Sequence, residues 1–282
     1  MKLSYFTSNL VKYLLLEKKY VNTISYIEVR ILIKYFFKIL EYNSYSKNYI
    51  RKNIILLFNN ILDKIRKLRP INHINYKKDF YSKKIFVNKN VLIPRPDTEI
   101  LIDVIFFYIR KKRVKALELG TGSCSIPIIL KLRRPKWELY ATDYYEKSLQ
   151  VAKQNYLHSI NINFNFFLGN WLAALPIKLL KTFDIIISNP PYISIYNLKK
   201  NMGRLKYEPF KSLYAKKNGY FDFIEIIYKS HKYLKKDGIL FLEHASYQGK
   251  MVRKILFNYK YYNIKTIRDF NNHSRITMGT KK

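Results

Sequence analysis

The chain has 282 residues, 48% of them hydrophobic, and a formal net charge of +34. That length suits one large domain, or a catalytic domain with a smaller companion, and the apolar share excludes wholesale disorder. The single cysteine, Cys124, excludes a disulfide framework, and the five histidines lack metal-ligand spacing, so no metal site is expected.

The charge invites a nucleic-acid partner. It is spread evenly, however, at +10 over residues 1–75 and +24 over residues 76–282. No basic arm stands out, so the excess reads as a chain-wide compositional bias. What remains is nonspecific attraction to acidic partners, weakened by salt. No apolar run approaches the ~20 residues that cross a bilayer. The N-terminus lacks an apolar core and cleavage site of signal type. The expectation is a cytoplasmic protein with no membrane partner and no specific nucleic acid, acting as a monomer.

In chain order, residues 1–75 read as helical. Ile27, Ile31, Leu32, Tyr35, Phe36 and Ile39 share one face, and Ser25 with Glu28 fits a capping box. A second stripe runs from Ile50 to Leu68. Both stripes suit a small helical domain packing on itself. Pro70 breaks the helix. Residues 76–96 read as a hairpin linker, with a polar turn expected near Asn88-Lys89-Asn90. Helix resumes after Pro96, with Asp97 or Thr98 as its cap.

From Val114 the pattern becomes alternating strands and helices. Strands are expected at 114–119, 137–142, 163–168, 183–188 and 239–243, with helices near 124–133, 146–158 and 220–235. This alternation predicts a parallel sheet covered on both faces. Residues 261–269 and 274–279 read as a terminal hairpin, so one strand runs antiparallel.

The ends of these strands hold the chemistry. The first runs into Glu118-Leu119-Gly120-Thr121-Gly122-Ser123-Cys124, a glycine turn that lets a ligand approach the backbone. The second ends at Asp143, 21 residues after Gly122, where a ribose hydroxyl pair would be held. The third ends at Asn170-Trp171. The fourth ends at Asn189-Pro190-Pro191-Tyr192, and two prolines cannot continue a strand. A nicotinamide enzyme would also use a glycine turn and an acid, but the third glycine of the dinucleotide fingerprint is missing.

Together, Glu118-x-Gly-x-Gly, Asp143 and Asn-Pro-Pro-Tyr resemble the class I S-adenosylmethionine-dependent methyltransferases. With Arg95-Pro96-Asp97-Thr98-Glu99, the chain resembles the release factor glutamine methyltransferase family (HemK/PrmC). Further matching stretches are Tyr207-Glu208-Pro209, Leu242-Glu243-His244, Gln248-Gly249 and Arg268-Asp269-Phe270. The resemblance spans Pro70 to Thr280. It implies an α/β fold with a seven-stranded Rossmann-like sheet and antiparallel terminal hairpin, preceded by a small all-α domain. It implies residues 1–75 as a substrate-docking domain, 76–96 as linker and 97–282 as the methyltransferase domain.

The implied reaction moves a methyl group from S-adenosyl-L-methionine to the side-chain N5 of the glutamine in the Gly-Gly-Gln loop of peptide-chain release factors. The implied cofactor residues are Glu118, Gly120, Thr121, Gly122, Ser123, Cys124, Asp143, Asn170, Trp171 and Asn189. Substrate contacts fall to Asn189, Pro190, Pro191 and Tyr192, with Asn189, Pro190 and Tyr192 catalytic. An amide nitrogen is a poor nucleophile. Acceptors on both its hydrogens, the Asn189 side chain and the Pro190 carbonyl, would aim its lone pair, and Tyr192 would stack on it. Two positions depart from the family pattern, with Cys124 at its third glycine and Asn170 at its usual acid. The rival readings are a DNA or RNA amino-methyltransferase and a non-catalytic binding protein on this fold.

Overall fold

The computed structural model describes residues 69–282 except Asn163, and before them positions 31, 34, 35, 60, 63 and 67. The chain divides into two compact units, Met1–Lys77 and Lys78–Lys282. In the first, Ile31, Lys34, Tyr35, Asn60 and Asp63 are helical, and a short helix spans Ile71–Asn75 after Pro70. The capping box at Ser25 and most of the two apolar stripes lie outside the described residues.

The second unit is the α/β body. Strands β1 (Lys77–Phe80) and β2 (Lys83–Phe86) form a two-stranded sheet. The turn joining them is Tyr81-Ser82, both at positive φ (48° and 61°), not the expected Asn88–Asn90. Its anchors are distant in sequence: Tyr81 N donates to Glu99 Oε1 at 3.0 Å, and its hydroxyl bonds Asp103 Oδ1 at 2.6 Å. Asn88–Asn90 makes a separate turn, closed by Val91 N donating to the Asn88 carbonyl at 3.2 Å.

Phe80, Ile85 and Val87 are fully buried and pack into the same core as the sheet and its helices. Helix α1 spans Pro96–Tyr108, with Pro96 at its start and Arg95 flanking it. Asp97 and Thr98 lie inside the first turn and are not its cap.

The main sheet contains β3 (Lys115–Leu119), β4 (Glu138–Asp143), β5 (Asn165–Leu168), β6 (Phe183–Ser188), β7 (Leu234–Glu243), β8 (Tyr261–Arg268) and β9 (Ser274–Lys281). Its order is β5-β4-β3-β6-β7-β9-β8. Strands β3 to β7 are parallel, and β9 pairs antiparallel with both neighbours, as the terminal hairpin predicts. Helices α2 (Ser125–Arg133), α3 (Glu146–Ile160), α4 (Phe221–Tyr233) and α5 (Gly249–Asn258) cover it. Parallel strands carrying runs such as Ile185-Ile186-Ile187 need cover on both faces.

The sheet accordingly separates two buried clusters. One holds Ile102, Ile105, Ile128 and Trp137, the other Phe183, Phe223, Ile227 and Leu256. Strand β7 begins five residues before the expected 239, because fully buried Leu234 already pairs with Phe183. Strand order reverses between β3 and β6, which places a crevice at the carboxyl ends of the strands, where such sheets bind ligands.

Candidate active site

A cleft of about 510 Å³ opens at those strand ends. Gly120, Gly122, Asp143, Asn170, Trp171, Asn189 and Pro191 line it, so four separate strand ends do converge. Its far wall comes from Pro209–Ser212, Tyr214, Lys216, Phe221 and Asp222. From sequence, that wall carries no assigned role beyond the matching stretch that ends at Pro209.

The glycine turn is shaped by contact. At Gly120 (φ 74°) a Cβ would meet Trp171 Cζ3 at 2.9 Å, so the indole lies directly on the backbone. At Gly122 (φ 54°) a Cβ would meet nothing within 4 Å, because that face opens into the cleft. The donors of the turn are turned inward. Gly120 N and Thr121 N both donate to the Thr142 carbonyl (2.9 and 3.0 Å), and Gly122 N donates to Asp143 Oδ2 at 2.9 Å.

Cys124 turns its side chain away from the cleft. Its side chain is fully buried among apolar residues and its N–H donates to the Thr121 carbonyl at 2.8 Å. It does not line the cleft. Its φ of 64° explains why glycine suits this position. Burial pushes its thiol well above the usual range. Thr121 and Ser123 are also buried; the Thr121 hydroxyl donates to buried Glu118, whose carboxyl burial pushes well up.

Asp143 caps and braces at once. Besides Gly122 N it accepts from Ser148 Oγ (2.9 Å) and Tyr145 N (3.0 Å), tying the glycine turn to the start of α3. Burial raises its carboxyl, and these bonds oppose the rise. A second acid, Asp222, stands on the cleft wall. Burial pushes it up to about 6, against a hydrogen bond from Trp171.

At the end of β6, Asn189 Nδ2 donates to Thr98 Oγ1 at 3.2 Å, which leaves Oδ1 as the acceptor end of the amide. Pro190 is buried and Pro191 half-buried. Tyr192 is half-buried, and burial, then Glu243, keeps its phenol protonated. Gln248 props this loop. Its Nε2 donates to the carbonyls of Tyr192 and Gly219, each at 3.2 Å, while its Oε1 accepts from Ala245 N. Gly219 must lack a side chain here, since a Cβ would meet the Tyr192 carbonyl at 2.4 Å.

Two other matching stretches are tied to the Arg95–Glu99 segment. Glu208 accepts from Arg95 Nη2 (2.5 Å) and from Ile93 N (3.0 Å). Asp269 accepts from Arg275 Nε at 2.8 Å, and Arg275 reaches on to Asp97. Asn155, missed from sequence, bonds both Phe86 and the Ser123 carbonyl, linking the hairpin to the glycine turn. Its only signal was an amide on the buried face of α3. Among the described residues, no helix is long and apolar enough to cross a membrane.

Comparison with known proteins agrees with this geometry. Residues 110–278 match the family model described as a methyltransferase domain. The chain is 38% identical over 213 residues to a release factor glutamine methyltransferase of Buchnera aphidicola from Schizaphis graminum, covering 76% of each chain. It is 33% identical to the protein of the same name in Escherichia coli K12, covering 78% of each. A further relative of that name, from the Buchnera of Baizongia pistaciae, is 32% identical over 97% of this chain and 99% of its own. Among solved structures, a methyltransferase of Pyrococcus furiosus superposes with TM-score 0.54 at 16% identity, over 82% of this chain and 98% of that one. That likeness speaks for the fold alone. On sequence identity, coverage and fold together, the chain belongs to the release factor glutamine methyltransferase family.

Proposed function

We propose that this enzyme transfers a methyl group from S-adenosyl-L-methionine to the side-chain amide nitrogen of the glutamine in the Gly-Gly-Gln loop of peptide-chain release factors. The observation that carries the reading is the fixed Asn189 amide. Its Nδ2 is committed to Thr98 and the residue lines the cleft with Pro191, so in this reading the oxygen is the end offered to the substrate.

The residues fit the methyl donor. The open face of Gly122 lets an adenosyl group lie against the backbone, in a cleft of small-molecule size. Asp143 would take the ribose hydroxyls. Asn170 and the Trp171 ring would hold the adenine, and the buried carboxyl of Glu118 lies behind the turn. The bound donor supplies an electrophilic methyl on sulfur. The chain's own residues do the rest by positioning. Asn189 Oδ1 accepts one N–H of the substrate amide and the Pro190 carbonyl accepts the other. Electron density is thereby drawn onto nitrogen and its direction is set. Tyr192 stacks on the flat amide. The proton leaves after transfer, and no strong base is needed before it.

In this reading the N-terminal helices, residues 1–75, dock the release factor. The hairpin of 76–96 connects them to the methyltransferase domain of 97–282. The enzyme acts as a monomer in the cytoplasm. The test is to incubate it with methyl-labelled S-adenosylmethionine and a release factor, then map the label by mass spectrometry. The expected label sits on the loop glutamine and disappears when that glutamine is alanine. Efficient labelling of DNA or RNA with an untouched release factor would overturn the reading.

A further inference from the structure

Glu243 ends β7 and is 1% exposed, an uncommon place for a carboxylate. Groups from several elements surround it. Strand β6 pairs Ser188 with Leu242, so Asn189 runs alongside Glu243. Strand β9 sets Ile276 opposite it, next to Arg275. Helix α1 brings Asp97 and Thr98, and Tyr192 comes from the loop after β6. Arg275 is already shared between Asp97 (3.1 Å) and Asp269 (2.8 Å). His244, next in sequence, bonds the Ala245 carbonyl and Thr277 instead. One Glu243 oxygen, Oε2, has no hydrogen-bond partner.

We propose that Glu243 is a positioning residue for methyl transfer, holding Asn189 with its NH2 inward and its carbonyl oxygen toward the substrate. The inference rests on the amide-methylation reading above. The two ends of an asparagine amide are alike in shape and differ only in hydrogen bonding. Asn189 Nδ2 donates to the Thr98 hydroxyl, and that hydroxyl then needs an acceptor for its own proton. An ionised Glu243 is acceptor-only, and Thr98 and Asn189 beside it both favour its charged form.

A protonated Glu243 puts a donor in the same place. The Thr98 hydroxyl can then accept from Glu243 and donate to the amide, which turns Asn189 Oδ1 inward. The cleft would face an NH2 substrate with an NH2 group, and the clamp would be lost. Burial pushes the Glu243 carboxyl up to about 7, with Asp97 adding to the rise and Thr98, Arg275 and Asn189 opposing it. The switch therefore falls in the working range of pH.

The test measures kcat and KM for the release factor across pH, with S-adenosylmethionine affinity by calorimetry. In the parent, kcat should rise with pH through about 7 while KM stays level. Glu243→Gln should lower kcat by about 10²-fold, the scale of a misplaced reacting group, and remove the pH step. Glu243→Asp should restore the step with part of the rate. Thr98→Val should copy Glu243→Gln and Thr98→Ser should recover. Cofactor affinity should hold throughout.

A Glu243→Gln enzyme with parental kcat, or with the same pH step, overturns the inference. So does a loss confined to KM or to cofactor affinity. If Glu243→Gln fails to fold, the Thr98 pair decides by the same criteria. A parent enzyme that labels no release factor at any pH instead refutes the substrate reading, and this inference falls with it.

Discussion

Replacing Asp143 with alanine should damage two things by separable amounts. The side chain is 8% exposed and accepts from Gly122 N, Tyr145 N and Ser148 Oγ. Alanine leaves two backbone N–H groups and a hydroxyl without their acceptor. A buried donor left unpaired costs about 1–3 kcal/mol. Water entering the vacated space offsets part of this, as does relief from burying a charge. A net loss of about 2–4 kcal/mol follows for the domain. At about 2–4 °C per kcal/mol for a domain of this size, Tm should fall by roughly 5–15 °C.

Cofactor affinity should fall separately. Losing the partner of the ribose hydroxyls costs about 1–3 kcal/mol, or roughly 5- to 150-fold in Kd. Asp143→Asn should fall between alanine and parent in both measures, because one amide oxygen cannot serve every donor. Calorimetry with S-adenosylmethionine and a thermal melt read the two effects. Unchanged affinity with a lowered Tm would make Asp143 a brace only and remove it from the ribose site. An unchanged Tm would refute the accounting of its three donors.

Asn189→Ala should bind S-adenosylmethionine within a few-fold of the parent while turnover drops by about 10²–10³, read by single-turnover label transfer. Normal turnover would refute the amide clamp. Tyr192→Phe should be damaged far less than Tyr192→Ala in the same assay, since the ring face is what acts; equal damage would put the hydroxyl in its place. Cys124→Ala should keep activity, and the native enzyme should resist thiol alkylation because the thiol is buried and its ionisation suppressed; rapid inactivation by alkylation would refute this. Glu243 rises from an ordinary 4.5 to about 7 on folding, so the folded state holds its proton more tightly. Stability should therefore fall as pH rises from 4.5 to 7, by up to about 3 kcal/mol from this group, and urea denaturation of Glu243→Gln should lack that slope.

The sheet was readable because its strands are short buried runs ending in turn residues, and Asn189-Pro190-Pro191 marks the end of β6 without ambiguity. The hairpin turn was not readable. Tyr81 and Ser82 carry no local turn signal, and what holds them is Glu99 and Asp103 on α1. The start of β7 was missed for a similar reason. Lys235, Lys236 and Asp237 are exposed, and only the pairing of Leu234 with Phe183 makes the segment a strand. In the site, residues on strand ends were legible, whereas Thr98, Glu208, Asp222 and Gln248 act through partners distant in sequence. The family resemblance pointed to the stretches holding three of them, but the meetings between those stretches are properties of the fold.

The direction of the backbone donors separates this site from a phosphate-binding turn more firmly than the count of glycines does. A helix N-terminus with bare N–H groups attracts anions. A nicotinamide dinucleotide brings a pyrophosphate, and its turn must offer such donors. Here Gly120, Thr121, Gly122 and Cys124 have all spent theirs on Thr142, Asp143 and Thr121. The proposed donor carries a sulfonium cation, which outward N–H groups would repel. Glu118 and Asp143 add carboxyl groups at the turn, and Asp222 adds one on the facing wall. A missing third glycine therefore costs little. Cys124 lies in the conformation a glycine would take, with its N–H committed and its thiol in the core, and the face the ligand would meet remains that of Gly122.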